Sequence, residues 1–100
     1  MSSPESSSWH FLTNHAQVLL CIQNNEEVRM RDIANTVGIT ERAAQRLTND
    51  LVEAGYVTRE RVGRRNRYRI DPEARMRHPA QGEHPIGELL ALLSSAEATS

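Results

Sequence analysis

Arginine is the residue whose type and spacing in this chain point most directly to a chemical task. Residues 59–70, RERVGRRNRYRI, contain six of the twelve arginines and a single acid, Glu60. A guanidinium keeps its charge at physiological pH, and its planar donors match the oxygens of a phosphate or the edge of a guanine. The cluster therefore predicts contact with a polyanion.

A second set of polar residues recurs at helical spacing earlier in the chain. Positions three, four and seven residues apart lie on one face of a helix. Between residues 40 and 54, one such face carries Arg42, Gln45, Arg46 and Asn49. Arginine pairs with guanine, and glutamine or asparagine pairs with adenine. This row therefore predicts a surface that reads a base sequence.

The charges are unevenly distributed along the chain, although the formal net charge is only -1. Residues 28–77 hold all twelve arginines and seven acids, whereas residues 1–27 and 78–100 hold three acids each. A basic middle between acidic ends is expected when one surface of a protein meets phosphate and the others avoid it. The polyanion is therefore expected to contact the middle segment.

Composition divides the chain into four parts. Residues 1–8, MSSPESSS, offer nothing apolar to bury and predict a disordered leader. Residues 9–71 carry the periodic segments of one small domain. Residues 72–85, rich in proline, predict an irregular connector, and residues 86–96 predict a C-terminal helix. A domain of this size has a modest core, so pairing with a second copy is a plausible source of stability.

Three helices are predicted in the central domain. Thr13 suits the N-cap of the first, which a short strand over 28–30 follows. The second is brief and closed by Gly38, and the third runs from a cap at Thr40 to a left-handed stop at Gly55. The stripes expected to pack are His15, Val18, Leu19 and Ile22; Ile33, Ala34 and Val37; and Ala44, Leu47, Thr48 and Leu51.

A β-hairpin is predicted after the third helix. Segments 56–62 and 66–71 have strand composition and surround Gly63-Arg64-Arg65. Tyr68 and Ile70 alternate with arginines along the second strand, so one face is expected to pack and the other to face out.

The sequence leaves the register of this hairpin open. A four-residue loop sets Glu60 across from Arg69, whereas a three-residue loop sets it across from Tyr68. The faces on which the arginines lie depend on this choice.

The C-terminal helix is predicted to begin after Pro85, a residue suited to open a helix. Its apolar stripe consists of Ile86, Leu89, Leu90 and Leu93. A helix of about ten residues is marginal alone in water, so these residues must pack on something. They either cover the protein's own first helix or pair with a second subunit. We favour the second interpretation and assign the stripe to dimerisation.

The order of these parts resembles bacterial and archaeal winged helix-turn-helix regulators of the MarR/ArsR type. The resemblance covers residues 12–71 and includes the segments RDIANTVGITERAAQRLTNDLVEAGYV and RVGRRNRYRI. Its most specific parts are the spacing from Ile33-Ala34 through Gly38-Ile39-Thr40 to Leu47 and Leu51, followed by Gly55-Tyr56-Val57 and Gly63-Arg64-Arg65. It implies a mainly α fold with a small β wing, built from a three-helix core and a β-hairpin, to which this chain adds a C-terminal helix. In such proteins the third helix enters the major groove of DNA, and the wing reaches the backbone or the minor groove.

The resemblance also assigns residues to the two DNA contacts. The candidates on the recognition helix are Thr40, Arg42, Ala43, Gln45, Arg46 and Asn49. The candidates in the wing are Arg64, Arg65 and Arg67.

These features predict a sequence-specific regulator of transcription that binds double-stranded DNA as a homodimer. Repression is favoured over activation because a chain of this length has little room to recruit a polymerase. A winged-helix module that binds an acidic protein partner, or structured RNA, through the same arginines remains an alternative.

Other classes of function lack support in the sequence. It contains no phosphate loop and suggests no catalytic triad, so neither an enzyme nor a cofactor is predicted. The four histidines and Cys21 lack the spacing of zinc ligands. The sequence also lacks the cysteine-rich metal box of metal-sensing ArsR proteins. Cys21 is expected to be a buried structural thiol. Neither a basic leader nor an apolar run of membrane-spanning length occurs, so we expect a cytoplasmic protein. No pocket-lining set for a small-molecule effector is evident.

Overall fold

The computed structural model describes residues 12–76, 80 and 82–98, with side chains up to residue 93 in the last helix. In chain order these residues form α1 (Asn14–Asn24), α2 (Met30–Val37), α3 (Glu41–Glu53), β1 (Val57–Val62), β2 (Arg65–Ile70) and α4 (Ile86–Ala98). This arrangement confirms the predicted fold class, a winged helix with three core helices, a hairpin and an added helix. The predicted leader, residues 1–8, lies outside the described residues.

Side-chain caps and glycines fix the ends of the core helices. The hydroxyl oxygen of Thr13 accepts a hydrogen bond from the Ala16 amide at 3.3 Å, and that of Thr40 accepts one from the Ala43 amide at 3.0 Å. Each cap contributes about 1 kcal/mol by satisfying an amide that the helix leaves free. Gly38, at φ +88°, closes α2 in the left-handed region that favours glycine. The predicted caps are therefore confirmed.

The core lies between α1 and the helix-turn-helix formed by α2 and α3. Ala34 and Ala44 are buried, at 5% and 0% exposure, and their small side chains allow α2 and α3 to approach closely. Thr48 is also fully buried, and its hydroxyl donates to the Ala44 carbonyl at 2.8 Å, so burial leaves no unpaired donor. The remaining buried apolar residues of these helices are Val18, Leu19, Ile22, Ile33, Leu47 and Leu51.

The hairpin has a shorter turn than either predicted register required. Val62 pairs with Arg65, so only Gly63 and Arg64 form the turn. Gly63 has a φ of +65° and Arg64 has a negative φ, the pattern of a type II′ turn, whose twist matches that of the flanking strands. Glu60 consequently lies across from Arg67. Both predicted partners of Glu60 were therefore wrong, because the predicted loops were too long.

The predicted strand over 28–30 was also wrong. Met30 begins α2, and Arg29 is its N-cap residue. Met30 joins the helix because its sulfur packs against α3, 3.6 Å from the Thr48 hydroxyl. The connection between α1 and α2 nevertheless lies beside the second strand of the hairpin, because the Tyr68 amide donates to the Glu26 carbonyl at 2.8 Å.

The final helix packs on its own chain. Its start after Pro85 agrees with the prediction. Ile86 and Leu90 are buried, and the side-chain amide of Gln23 on α1 donates to the Leu90 carbonyl at 2.9 Å. The Gly87 amide donates to the Pro72 carbonyl at 2.9 Å, which fixes the start of α4 against the connector.

Candidate nucleic-acid interface

The exposed face of α3 carries the predicted row of hydrogen-bonding side chains. Because an α-helix turns by about 100° per residue, this row lies opposite the buried residues Ala44, Leu47 and Leu51. One open groove is lined by Met30, Glu41, Arg42, Gln45, Arg46 and Asn49. The structure therefore brings the four polar residues of the predicted row to one surface.

Three of these four side chains remain available to a ligand. Arg42, Gln45 and Arg46 are exposed, and within the described residues none of them makes a side-chain hydrogen bond or an ion pair. Two guanidiniums and an amide on one helical face provide donors and one acceptor for base edges or phosphates.

Thr40 and Ala43, the other two predicted recognition residues, lie at the start of this helix. The Thr40 oxygen accepts from the Ala43 amide, so the hydroxyl proton of Thr40 is still free to be donated. Ala43 is half-buried and has no polar side-chain atom. The observed contact of both residues is thus the N-cap that begins α3.

The register divides the arginines of the hairpin between its two faces. Residues paired across two antiparallel strands lie on the same face. Arg59 pairs with the buried Tyr68 and therefore shares the face that packs toward the helices. Arg61 follows on that same face, across from Asn66. The arginines on the opposite face are Arg65, Arg67 and Arg69.

Arg59 contacts the row on α3 directly. Its Nη1 donates to the side-chain oxygen of Asn49 at 2.8 Å, which joins β1 to the C-terminal half of α3. The sequence interpretation did not select Arg59. A two-residue Gly-X turn was the signal that would have placed it across from the packed Tyr68.

The three predicted wing residues differ in their surroundings. Arg64 is exposed in the turn, and among the described residues its guanidinium makes no side-chain hydrogen bond or ion pair. Arg65 donates to the Glu27 carbonyl at 2.9 Å, and Arg67 Nη2 lies 3.3 Å from the Glu27 carboxylate. The Nε of Arg67 is buried without a partner. Two of the three candidates therefore bind the α1–α2 connection in the free protein, and their contact with DNA stays a prediction.

The predicted dimerisation stripe is only partly exposed. Ile86 and Leu90 are buried within the chain, and Leu89 and Leu93 are half-buried. Leu92, outside the predicted stripe, is 68% exposed. Packing on the protein's own first helix thus accounts for Ile86 and Leu90, and their role in dimerisation stays a prediction.

Other titratable groups form no second site within the described residues. His15 on α1 contacts the Asp50 carboxylate on α3 at 3.0 Å. Cys21 is half-buried, and burial raises the pKa of its thiol. The described residues include no group of three or more potential metal ligands. Within this part of the chain, none of the helices is both long and apolar enough to cross a membrane.

Comparison with known proteins adds one match. A family model described as the MarR family matches residues 11–67, more than half of the chain. The matched segment runs through α1, α2, α3 and β1 into β2, and it ends before the connector and α4. No curated protein matches the chain.

Proposed function

The chain belongs to the MarR family of winged-helix transcriptional regulators, and from this membership we propose that it binds double-stranded DNA sequence-specifically, as a dimeric repressor. The observation that carries the proposal is the exposed groove of α3, in which Arg42, Gln45 and Arg46 have no partner among the described residues. These side chains are the types that recognise guanine and adenine in the major groove.

The hairpin supplies the second contact. Its turn carries the exposed Arg64 at the end of two six-residue strands. Arginines at such a position neutralise phosphates and release counterions, which gives affinity without sequence preference. In this proposal the α3 row reads bases, and the hairpin positions the protein on the backbone or in the minor groove.

Dimerisation and repression complete the proposal. The exposed Leu92 gives α4 an apolar surface in addition to the one that it buries on its own chain. A twofold dimer presents two copies of α3 to half-sites about one helical turn apart on one side of the DNA. A dimer bound at a promoter excludes the polymerase by occupying its site, which requires no further surface of the protein.

The experiment is a selection of bound genomic fragments, followed by fluorescence-polarisation titrations of the selected duplex over a series of salt concentrations. The logarithm of the association constant is expected to fall linearly with the logarithm of salt concentration, by about 0.9 per phosphate contact. A flat plot would contradict the proposal.

Three variants separate the two contacts. Arg46→Ala is expected to weaken binding and relax the preference at particular base pairs, whereas Arg64→Ala is expected to weaken binding equally on all sequences. Arg75→Ala is the control, because Arg75 lies in the connector, where its guanidinium donates to the Glu83 carbonyl at 2.7 Å. Equal losses for all three variants, or stoichiometric capture of an acidic protein or structured RNA in place of duplex DNA, would overturn the assignment.

A further inference from the structure

The hydrogen bond between Arg59 and Asn49 fixes the direction of one amide on the α3 surface. A guanidinium has five donors and no acceptor, so the group that Asn49 turns toward it must be the carbonyl oxygen. The donor-acceptor distance of 2.8 Å is that of a well-formed hydrogen bond. The NH₂ group of Asn49 therefore points away from Arg59.

Arg59 is itself held in place by the hairpin. Its cross-strand partner, Tyr68, is buried, and the Tyr68 amide is bonded to the Glu26 carbonyl. β2 is thus hydrogen-bonded to β1 on one side and to the connection between α1 and α2 on the other. This anchors the backbone of Arg59 in β1. The Arg59 side chain is exposed, and its hydrogen bond to the half-buried Asn49 is the contact that limits the rotamers of the amide.

A free asparagine amide recognises adenine by using its oxygen and its nitrogen together. When the oxygen is bonded to Arg59, the amide offers mainly donors to the groove. Donors favour the acceptors of guanine (N7 and O6) or of thymine (O4) over the mixed edge of adenine. In a major groove, an Asn49 amide held in this way would therefore favour guanine or thymine over adenine.

We propose that Arg59 is a positioning residue for sequence reading, which holds Asn49 with its NH₂ group toward the DNA and so sets the preference at one base pair of each half-site. The inference rests on the proposed binding of α3 in the major groove. Arg59, a residue of β1, would then contribute to sequence specificity together with the exposed row on α3.

The test is selection from a randomised duplex library with the full-length wild type and with Arg59→Ala, Asn49→Ala and the double variant. At one base pair per half-site, both single variants are expected to lose a discrimination of roughly tenfold. The double variant is expected to lose no more than Asn49→Ala, because Arg59 acts there through Asn49. Arg69→Ala is the matched control, since Arg69 lies on the opposite face of the hairpin and is exposed. It is expected to leave the preference at that base pair unchanged.

Asn49→Asp provides a second variant that keeps the contact. An aspartate still accepts from Arg59, but it has no donor to offer to a base. It is expected to lose the preference for guanine or thymine at the same base pair, while thermal unfolding confirms that each variant is folded.

The outcomes separate the inference from the function on which it rests. If the wild type selects a defined site and Arg59→Ala selects the same site with the same discrimination, the inference is overturned and the proposed function stands. If the wild type and Arg59→Ala both prefer adenine at that base pair, the inference is likewise overturned and the proposed function stands. If the wild type enriches no sequence, both are overturned.

Discussion

Arg67 Nη2 lies 3.3 Å from the carboxylate of Glu27, so an arginine of the second wing strand is neutralised by the connection between α1 and α2. Arg65, two residues earlier on the same face, donates to the Glu27 carbonyl. Glu27 thus contacts both Arg65 and Arg67, the first two arginines on the outer face of β2. Glu27 thereby separates Arg65 and Arg67, which stabilise the wing, from Arg64, which is exposed and available for the proposed contact with DNA.

The first prediction concerns Glu27→Gln. Removal of the negative charge leaves Arg67 un-neutralised, although the glutamine oxygen can still accept from it. The affinity for nonspecific DNA is expected to rise, and the slope of its salt dependence is expected to steepen by up to about 0.9. The free energy of unfolding is expected to fall by less than about 1 kcal/mol, because both partners are partly exposed. Titration at several salt concentrations and chemical denaturation measure the two effects. Glu73→Gln removes the same charge from the connector, and an equal gain in both variants would contradict the role of the Arg67 contact.

The second prediction concerns Leu92→Glu and the proposed dimer. Because burial of a leucine contributes about 1.5–3 kcal/mol, we expect the dimer affinity to fall on the order of tenfold or more. Sedimentation velocity over a range of concentrations measures this change. Val62→Glu is the control, since Val62 is the other exposed large apolar residue in the described part of the chain, at 49%, and lies in the wing. A Leu92→Glu protein that sediments like the wild type would exclude Leu92 from the interface.

The third prediction concerns Gly87→Ala. A Cβ at this position would lie 2.8 Å from both the Cβ and the carbonyl oxygen of Pro72, so α4 would have to shift away from the connector. We expect a loss of about 1–3 kcal/mol in the free energy of unfolding, measured by denaturation. Glu88→Ala, at the neighbouring exposed position in the same turn, tests for a general effect of substitution there. It removes only the contact of Glu88 with His84, 3.2 Å between two exposed side chains, which contributes less than about 1 kcal/mol. Equal stability of Gly87→Ala and the wild type would show that the start of α4 adjusts freely.

The fourth prediction concerns the thiol of Cys21. Burial raises its pKa, so at neutral pH less thiolate is present in the folded protein than in the unfolded chain. Alkylation by iodoacetamide is expected to be slower in the native protein than in denaturant, and to accelerate as the pH rises through the raised pKa. Equal rates in the two states would contradict this expectation.

The same shift has a consequence for stability. The stabilising contribution of the neutral thiol is fully present below the pKa of the unfolded chain, and it is lost as the pH rises through the higher pKa of the folded protein. Unfolding experiments at increasing alkaline pH are therefore expected to show a loss in the wild type that Cys21→Ala lacks. An identical pH dependence of the two proteins would rule out the thiol as its source.

Features that depend on local chemistry were predictable from the sequence. Thr13 and Thr40 have side chains that cap helices, and Gly38 supplies the left-handed residue after α2, so these boundaries follow from neighbouring residues alone. The face of α3 with Arg42 and Arg46 follows from helical periodicity in the same way.

Other features were not predicted. The register of the hairpin turned on whether Arg65 belongs to the turn or to the strand. Strand composition alone does not decide this, although the preference of two-residue turns for Gly-X was a local signal for the observed register. The contact of Arg59 with Asn49 in turn depends on that register. Met30 was placed in a strand because its local composition permits one, whereas packing against Thr48 draws it into α2.

The hydrogen bond from the Tyr68 amide to the Glu26 carbonyl bears on how the molecule opens. It gives the centre of β2 a partner outside the hairpin. A two-stranded hairpin is marginally stable alone in water and would exchange its amide protons rapidly. Here the wing is expected to open cooperatively with the connection between α1 and α2, as one unit in native-state hydrogen exchange. Slow exchange of the Tyr68 amide would therefore report on the stability of the connection between α1 and α2 as well as on that of the wing.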